Sequence, residues 1–237
     1  MSGNYADKHT ELESRGILFP ILVTLAILVG GIVEVIPPFF MTSTVEPIAE
    51  VKPYSALELA GRDIYIREGC INCHSQMIRP FKWETARFDP AGVYGDEPYS
   101  KAGEYVYDRP FLWGSKRTGP DLWHESQMGK DRQWHYDHFR DPRMGGNQAG
   151  SVMPAYPWLF ENKVDGETVK ASMQALQALG TPYSDAEINN APSAVEGKTE
   201  ADALVEYMMK LGRDAADAAA STQNESAEQD TVSSNLE

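Results

Sequence analysis

Cys70-Ile71-Asn72-Cys73-His74 carries the densest potential for chemistry in this 237-residue chain, and it contains both of the chain's cysteines. The pattern C-x-x-C-H is the attachment signature of c-type haem. Its spacing has a mechanical reason. On a helical turn, positions i, i+3 and i+4 share one face. Two thiols and an imidazole then point to the same side, where the thiols can add to two vinyl groups while the imidazole reaches iron. Three competing uses are weaker. A thioredoxin-type redox pair needs a βαβ context that is missing here. A zinc site would have to recruit His135 and His138, whose H-x-x-H spacing is shorter than the usual finger spacing. A disulfide across so short a loop stabilises little, and two cysteines exclude a disulfide scaffold.

An iron held by His74 needs a sixth ligand from the opposite side of the ring. Met77 is too close to His74 and shares its face. Met153, in Ser151-Val152-Met153-Pro154-Ala155-Tyr156, is better placed: it follows a Gly-rich loop, and Pro154 bars helix there. His/Met ligation raises a haem's potential, which suits electron transfer. His135 or His138 would give a bis-His site instead; packing and hydrogen bonding on a helix is the plainer reading of that pair. A ligating histidine normally donates its other ring nitrogen to a carbonyl, and Pro120 in Gly119-Pro120-Asp121-Leu122 offers a rigidly aimed one. Anionic ring substituents need donors; Arg117, Trp134 and Arg143 are the candidates, with Lys116 behind them.

These residues must be positioned by helices. Ser55 and Glu58 form a capping pattern ahead of a helix that leads to Cys70. Further helices are expected around Asp131–Phe139, Asp165–Leu179 and Glu200–Leu211, the last ending at Gly212. The aromatic, Gly- and Pro-rich stretch 75–120 reads as irregular loop, and its many aromatics suggest a covered partner surface. Before all this lies an apolar run from Ile17 to Ile36 with Glu34 as its one charge; at about 1.5 Å per residue it spans about 30 Å, the thickness of a hydrocarbon core. It is too long for a signal peptide's apolar region and no A-x-A site follows. The helix is expected to stop at Pro37-Pro38. Glu34, near the far end, either meets headgroups or faces a partner helix or water path. The boundaries that follow are 1–16 for a cytoplasmic N-terminus, 17–41 for the transmembrane anchor, 42–56 for a linker, 57–212 for the helical domain and 213–237 for a disordered acidic tail.

The net charge of −14 and a pI near 4.8 argue against nucleic acid as a partner. Hydrophobic residues at 42% give enough apolar material for a core and exclude a wholly disordered chain. Lys8 and Arg15 precede the span and Lys52 follows it, a weak bias toward an N-terminus inside. Haem attachment takes place outside the cytosol, which places residues 42–237 in the periplasm.

Several separate blocks converge on one resemblance: the anchor, G-R-x-I-Y-x-x-E-G-C-x-x-C-H, Y-D-R-P-F-L-W-G-S-K-R-T-G-P-D-L, W-H-x-x-H-F-x-D-P-R and S-x-M-P-A-Y-x-W-L. From about Glu13 to Gly212, with the tail left out, the chain resembles the monohaem cytochrome c subunit (subunit II, the CcoO or FixO type) of cbb3-type cytochrome c oxidases. The resemblance implies a mainly α protein: one N-terminal transmembrane helix and a periplasmic class-I-like cytochrome c domain with long irregular insertions. The helix before Cys70 would pack on the Glu200–Leu211 helix through Gly61, Tyr65, Leu204 and Tyr207. One haem c would be held by thioethers from Cys70 and Cys73, with His74 and Met153 as axial ligands. It further implies a single-pass protein of the bacterial inner membrane. Electrons would come from a dihaem cytochrome c subunit or a soluble cytochrome c. They would go on to haem b of the catalytic haem-copper subunit, which reduces oxygen and pumps protons. The haem c subunit of a nitric oxide reductase, or a free-standing anchored cytochrome, are the alternatives that the sequence leaves open.

Overall fold

The computed structural model describes residues 5–40, 45, 47–114, 116–144 and 150–234. The chain divides into two units, Met1–Glu46 and Pro47–Glu237.

The first unit contains α1 (Tyr5–Glu13) and α2 (Leu18–Phe40). Within α2, Leu18–Pro37 is long and apolar enough to cross a membrane, and none of it is buried among the described residues. An apolar helix of this length matches the thickness of a hydrocarbon core, so α2 fits a membrane anchor. The helix does not stop at Pro37-Pro38 but continues to Phe40. Each proline removes one N–H from the ladder, and so close to the C-terminal end this deprives only the carbonyls four residues back.

The second unit is helical, and among the described residues it forms no strand beyond the isolated bridge between Lys163 and Thr199. Its spine is α3 (Ala56–Arg67) packed on α8 (Glu200–Lys210). Both start with reciprocal capping boxes, Ser55 with Glu58 and Thr199 with Asp202, which satisfy two otherwise unpaired N–H groups each. Leu59, Ala60, Ile64 and Tyr65 of α3 and Ala203, Leu204, Tyr207 and Met208 of α8 are buried. The helices approach most closely at Gly61, where a Cβ would lie 2.0 Å from the Ala203 carbonyl oxygen. Tyr65 and Tyr207 meet edge to face at 5.7 Å, so Gly61, Tyr65 and Tyr207 of the expected spine residues meet, and Ala203, which the sequence did not single out, is where the two backbones come closest.

The expected linker is shorter than 42–56. Tyr54 is buried against Tyr207 and donates to Asp108 at 3.0 Å, so the domain begins before α3; Met41–Thr44 and Glu46 lie outside the described residues. The expected helices at 131–139 and 165–179 appear as α5 (Arg132–Arg140) and α6 (Gly166–Ala178), with α4 (Lys82–Phe88) before them and α7 (Asp185–Val195) after them. The sequence reading missed α7 because Asn189, Asn190 and Pro192 look like a turn. Its buried face, Ile188, Ala191 and Val195, nevertheless has helical spacing.

The excursion from 75 to 120 is not all loop, since α4 lies within it. Phe88, Tyr94 and Tyr105 are buried and join the fold's own packing, whereas Phe81, Trp83, Phe111 and Trp113 remain exposed. The disordered-tail expectation is also corrected over Arg213–Ser234, which is helix α9. Alanine repeats there supply helix propensity. Its first turn is tied by Arg213 to Glu58 at 2.8 Å and by Asp214 to the Lys52 N–H at 2.8 Å. Residues 235–237 lie outside the described residues.

Candidate haem site

Helix α3 ends at Arg67 and Gly69 turns the chain with φ of 73°, a left-handed conformation that glycine adopts without penalty. The turn delivers Cys70–Asn72 as a single 3₁₀ turn rather than α-helix. The Cys73 N–H still donates to Cys70 O at 3.0 Å and the His74 N–H to the same oxygen at 2.9 Å. Cys70, Cys73 and His74 therefore all line one cavity. Burial, with Glu68 adding to it, pushes the Cys70 thiol up to about 12. A thiol so firmly protonated is the opposite of the acidified thiolate used in disulfide exchange.

His74 is fixed from two directions. Its Nδ1 lies 2.7 Å from the Pro120 carbonyl oxygen. A carbonyl only accepts, so Nδ1 carries the hydrogen and Nε2 keeps its lone pair. Tyr65 Oη holds the His74 carbonyl at 2.9 Å. Burial lowers the imidazole's pKa, favouring the neutral form that binds metals. The ring rests against Gly119, where a Cβ would sit 2.2 Å from His74 Cε1. The sequence reading singled out the Pro120 carbonyl but not the bare glycine beside it.

The cavity has a volume of about 620 Å³, within the range of about 300–1,000 Å³ typical of cofactor sites. Leu122, Phe139, Leu204 and Met208 give it an apolar wall, and Met153 also lines it. The Met153 loop is held by Arg143, which donates to the Met153 carbonyl at 3.0 Å, and by the Tyr156 N–H to Phe139 O at 2.9 Å. Two thiols, an imidazole with a free nitrogen and a thioether sulfur around an apolar volume of this size fit a haem.

Of the expected surroundings, Pro120 and Trp134 line the cavity. Arg117 and Arg143 do not. Arg117 spends its donors on Ser75 Oγ and Met77 O, both at 2.8 Å, and pairs with Glu84 at 3.2 Å. Arg143 holds the Met153 backbone and Asp141. Both guanidiniums were assigned to ring carboxylates because charge alone, without a fold, does not say which way a side chain is drawn. The cation that does line the cavity is Lys130, paired with buried Glu125 at 2.7 Å. Lys130 stands just ahead of the Asp131 N-cap of α5, on which Trp134 and His138 lie, and the four-residue spacing of the three was the available signal.

His135 and His138 also line the cavity. His135 is buried with both ring nitrogens engaged, by Asp131 O at 2.8 Å and Glu125 at 3.1 Å, the packed and hydrogen-bonded role expected of it. His138 stacks on Trp134 with centroids 4.5 Å apart, and burial lowers its pKa to about 4. His124 lies elsewhere, stacked on Tyr94 at 3.6 Å and bonded to Phe88 O at 3.1 Å.

A helical domain built around such a cavity, preceded by an apolar helix, has the make-up of a membrane-anchored cytochrome c-like protein. The family described as cytochrome c oxidase, mono-heme subunit/FixO matches residues 9–228, and the chain belongs to that family. The family implies one haem and a place among the subunits of an oxidase. The match runs through most of α9, so the likeness does not end at Gly212 as the sequence reading had it. No curated protein matches the chain.

Proposed function

We propose that this chain is the electron-relay subunit of a cbb3-type haem-copper oxidase. Its haem would be attached through Cys70 and Cys73 and bound axially by His74 Nε2 and Met153 sulfur. When bound, the haem supplies one-electron exchange at its iron. The chain's own residues do the rest. Pro120 holds the His74 tautomer, and its hydrogen bond raises the basicity of the ligating nitrogen. Leu122, Phe139, Leu204 and Met208 keep water from the site. Arg143 and Phe139 fix the loop that presents Met153. The observation that carries the reading is the convergence of Cys70, Cys73, His74 and Met153 on one cavity. Between Met153 and the rival His138, the reading favours Met153, because His138 is committed to a stack on Trp134.

In this reading α2 crosses the bacterial inner membrane once with the N-terminus in the cytoplasm, as Lys8 and Arg15 ahead of the span favour, and the domain lies in the periplasm. The chain takes electrons from a dihaem cytochrome c subunit or a soluble cytochrome c. It hands them to haem b of the catalytic subunit, where oxygen is reduced to water and protons are pumped. No group in this chain is asked to perform acid–base chemistry.

The test is the purified native complex. A denaturing gel should show bound-haem peroxidase staining at this polypeptide, and Met153→Leu should remove the weak sulfur-to-iron absorption band while staining persists. A band that survives the substitution rejects Met153 as ligand. Absence of stain on the native chain rejects covalent attachment, and non-haem iron in place of copper in the complex rejects the oxidase assignment.

A further inference from the structure

Behind His74, made of residues that do not themselves line the cavity, sits a polar clamp. The Arg117 Nε–H donates to Ser75 Oγ at 2.8 Å, and the Ser75 hydroxyl donates in turn to Asp121 Oδ2. The same carboxylate oxygen accepts the Met77 N–H at 2.9 Å, and Asp121 Oδ1 accepts the Trp123 N–H at 2.9 Å. Arg117 lies 3.8 Å from Asp121 and reaches Met77 O at 2.8 Å. Every group facing the carboxylate is a donor, so both oxygens act as acceptors and Asp121 is ionised in this geometry. Asp121 is 2% exposed and Ser75 fully buried.

The clamp joins the two stretches of chain that bracket the His74–Pro120 bond. The Gly119 N–H donates to Cys73 O and the Leu122 N–H to Ser75 O, each at 3.0 Å. Pro120 itself has no N–H, and its carbonyl is placed only by its neighbours. Asp121, the next residue, is the one locked to the His74 side by charge-assisted bonds, which are about twice as strong as neutral ones.

We infer that Arg117, Ser75 and Asp121 are positioning residues that set the reduction potential of this subunit by holding the Pro120 carbonyl against His74 Nδ1. A short Nδ1–H···O bond makes the imidazole a stronger donor and so favours the oxidised metal. Loosening the clamp lengthens that bond and raises the potential. This gives Arg117 a role at the site different from the one its charge first suggests. The inference rests on the reading of His74 as the iron ligand.

Asp121→Asn is the direct test. An amide presents its NH₂ either to the Met77 N–H or to the Trp123 N–H, so one donor must face another. In potentiometric titration of the haem c band in the intact complex, the ratio of reduced to oxidised form at fixed ambient potential should rise about tenfold, equivalent to about 59 mV. The Met153 band should be retained. Ser75→Ala, which removes only the middle link, should move the potential the same way by less, and it decides the matter if Asp121→Asn does not assemble. Asp108→Asn breaks a comparably buried pair elsewhere, Arg62–Asp108 at 3.1 Å. It should lower stability and leave the potential where it was. The inference is overturned if the Asp121 and Ser75 variants titrate with the wild type or below it, or if Asp108→Asn moves the potential as far. If the wild-type chain itself holds no low-spin, covalently bound haem, the proposed function fails instead.

Discussion

Replacing Gly119 by alanine is the sharpest mutational probe of the site. A Cβ at that position would lie 2.2 Å from His74 Cε1, 2.6 Å from Nε2 and 2.7 Å from Nδ1. Ordinary carbon contacts start at about 3.5 Å, so ring and loop have to separate by about 1 Å. The Nδ1 to Pro120 O distance, now 2.7 Å, would pass the limit at which a hydrogen bond survives. Overpacking of this kind costs about 1–3 kcal/mol, and the lost hydrogen bond adds about 1 kcal/mol. Together they amount to about 2–4 kcal/mol. At about 2–4 °C per kcal/mol for a domain of this size, the melting temperature of the full chain in detergent should fall by about 4–16 °C. Because the displaced group is the proposed ligand, haem staining should fall with it. A Gly119→Ala protein that melts within a degree or two of wild type and stains normally would refute the close approach of loop and imidazole.

Two further outcomes follow from the same packing. Gly61→Ala places a methyl group 2.0 Å from Ala203 O and 2.7 Å from Tyr207 Cβ. Because the overlap falls on backbone, the cost stands at the upper end of about 1–3 kcal/mol, and less about 1 kcal/mol of helix propensity gained it leaves a net loss of about 2 kcal/mol in denaturant unfolding; a variant as stable as wild type would contradict the α3–α8 contact. Burial lowers His124 to about 4, against about 6.5 for an unfolded histidine. Between those values the unfolded chain binds a proton that the folded chain refuses, so stability is full above about pH 6.5 and declines as pH falls toward 4. The decline amounts to roughly 3 kcal/mol in total. His124→Phe, which retains an aromatic ring against Tyr94, should flatten that part of the stability profile; an unchanged slope would show that other groups produce it.

How much was legible in advance differs from residue to residue. Local pattern and capping residues placed the start of α3 and both ends of α5, α6 and α8 to within a residue or two, because caps and buried stripes are local properties; α3 itself stops at Arg67, short of Cys70. Helix α7 escaped because Pro192 reads as a breaker and only packing shows that the rest of its face is buried. The tail was misread because a shortage of large apolar residues was weighed above alanine's helix propensity. The anchor was plain from length and apolarity, although its C-terminal limit at Phe40 was not.

For the site, C-x-x-C-H, Met153 and the Pro120 carbonyl could be named from order along the chain, because each is defined by its immediate neighbours. Side-chain direction is decided by the whole domain. Arg117 and Arg143 spend their donors on backbone carbonyls and acids and do not line the cavity, while Lys130, just ahead of α5, does. Local chemistry thus determined which groups could hold a haem. Only tertiary packing, which brings residues as distant as Ser75 and Asp121 within hydrogen-bond reach, decided which charges face the cavity and which sit behind His74. A cation goes to whichever acceptors folding brings near it, and those acceptors are remote in sequence.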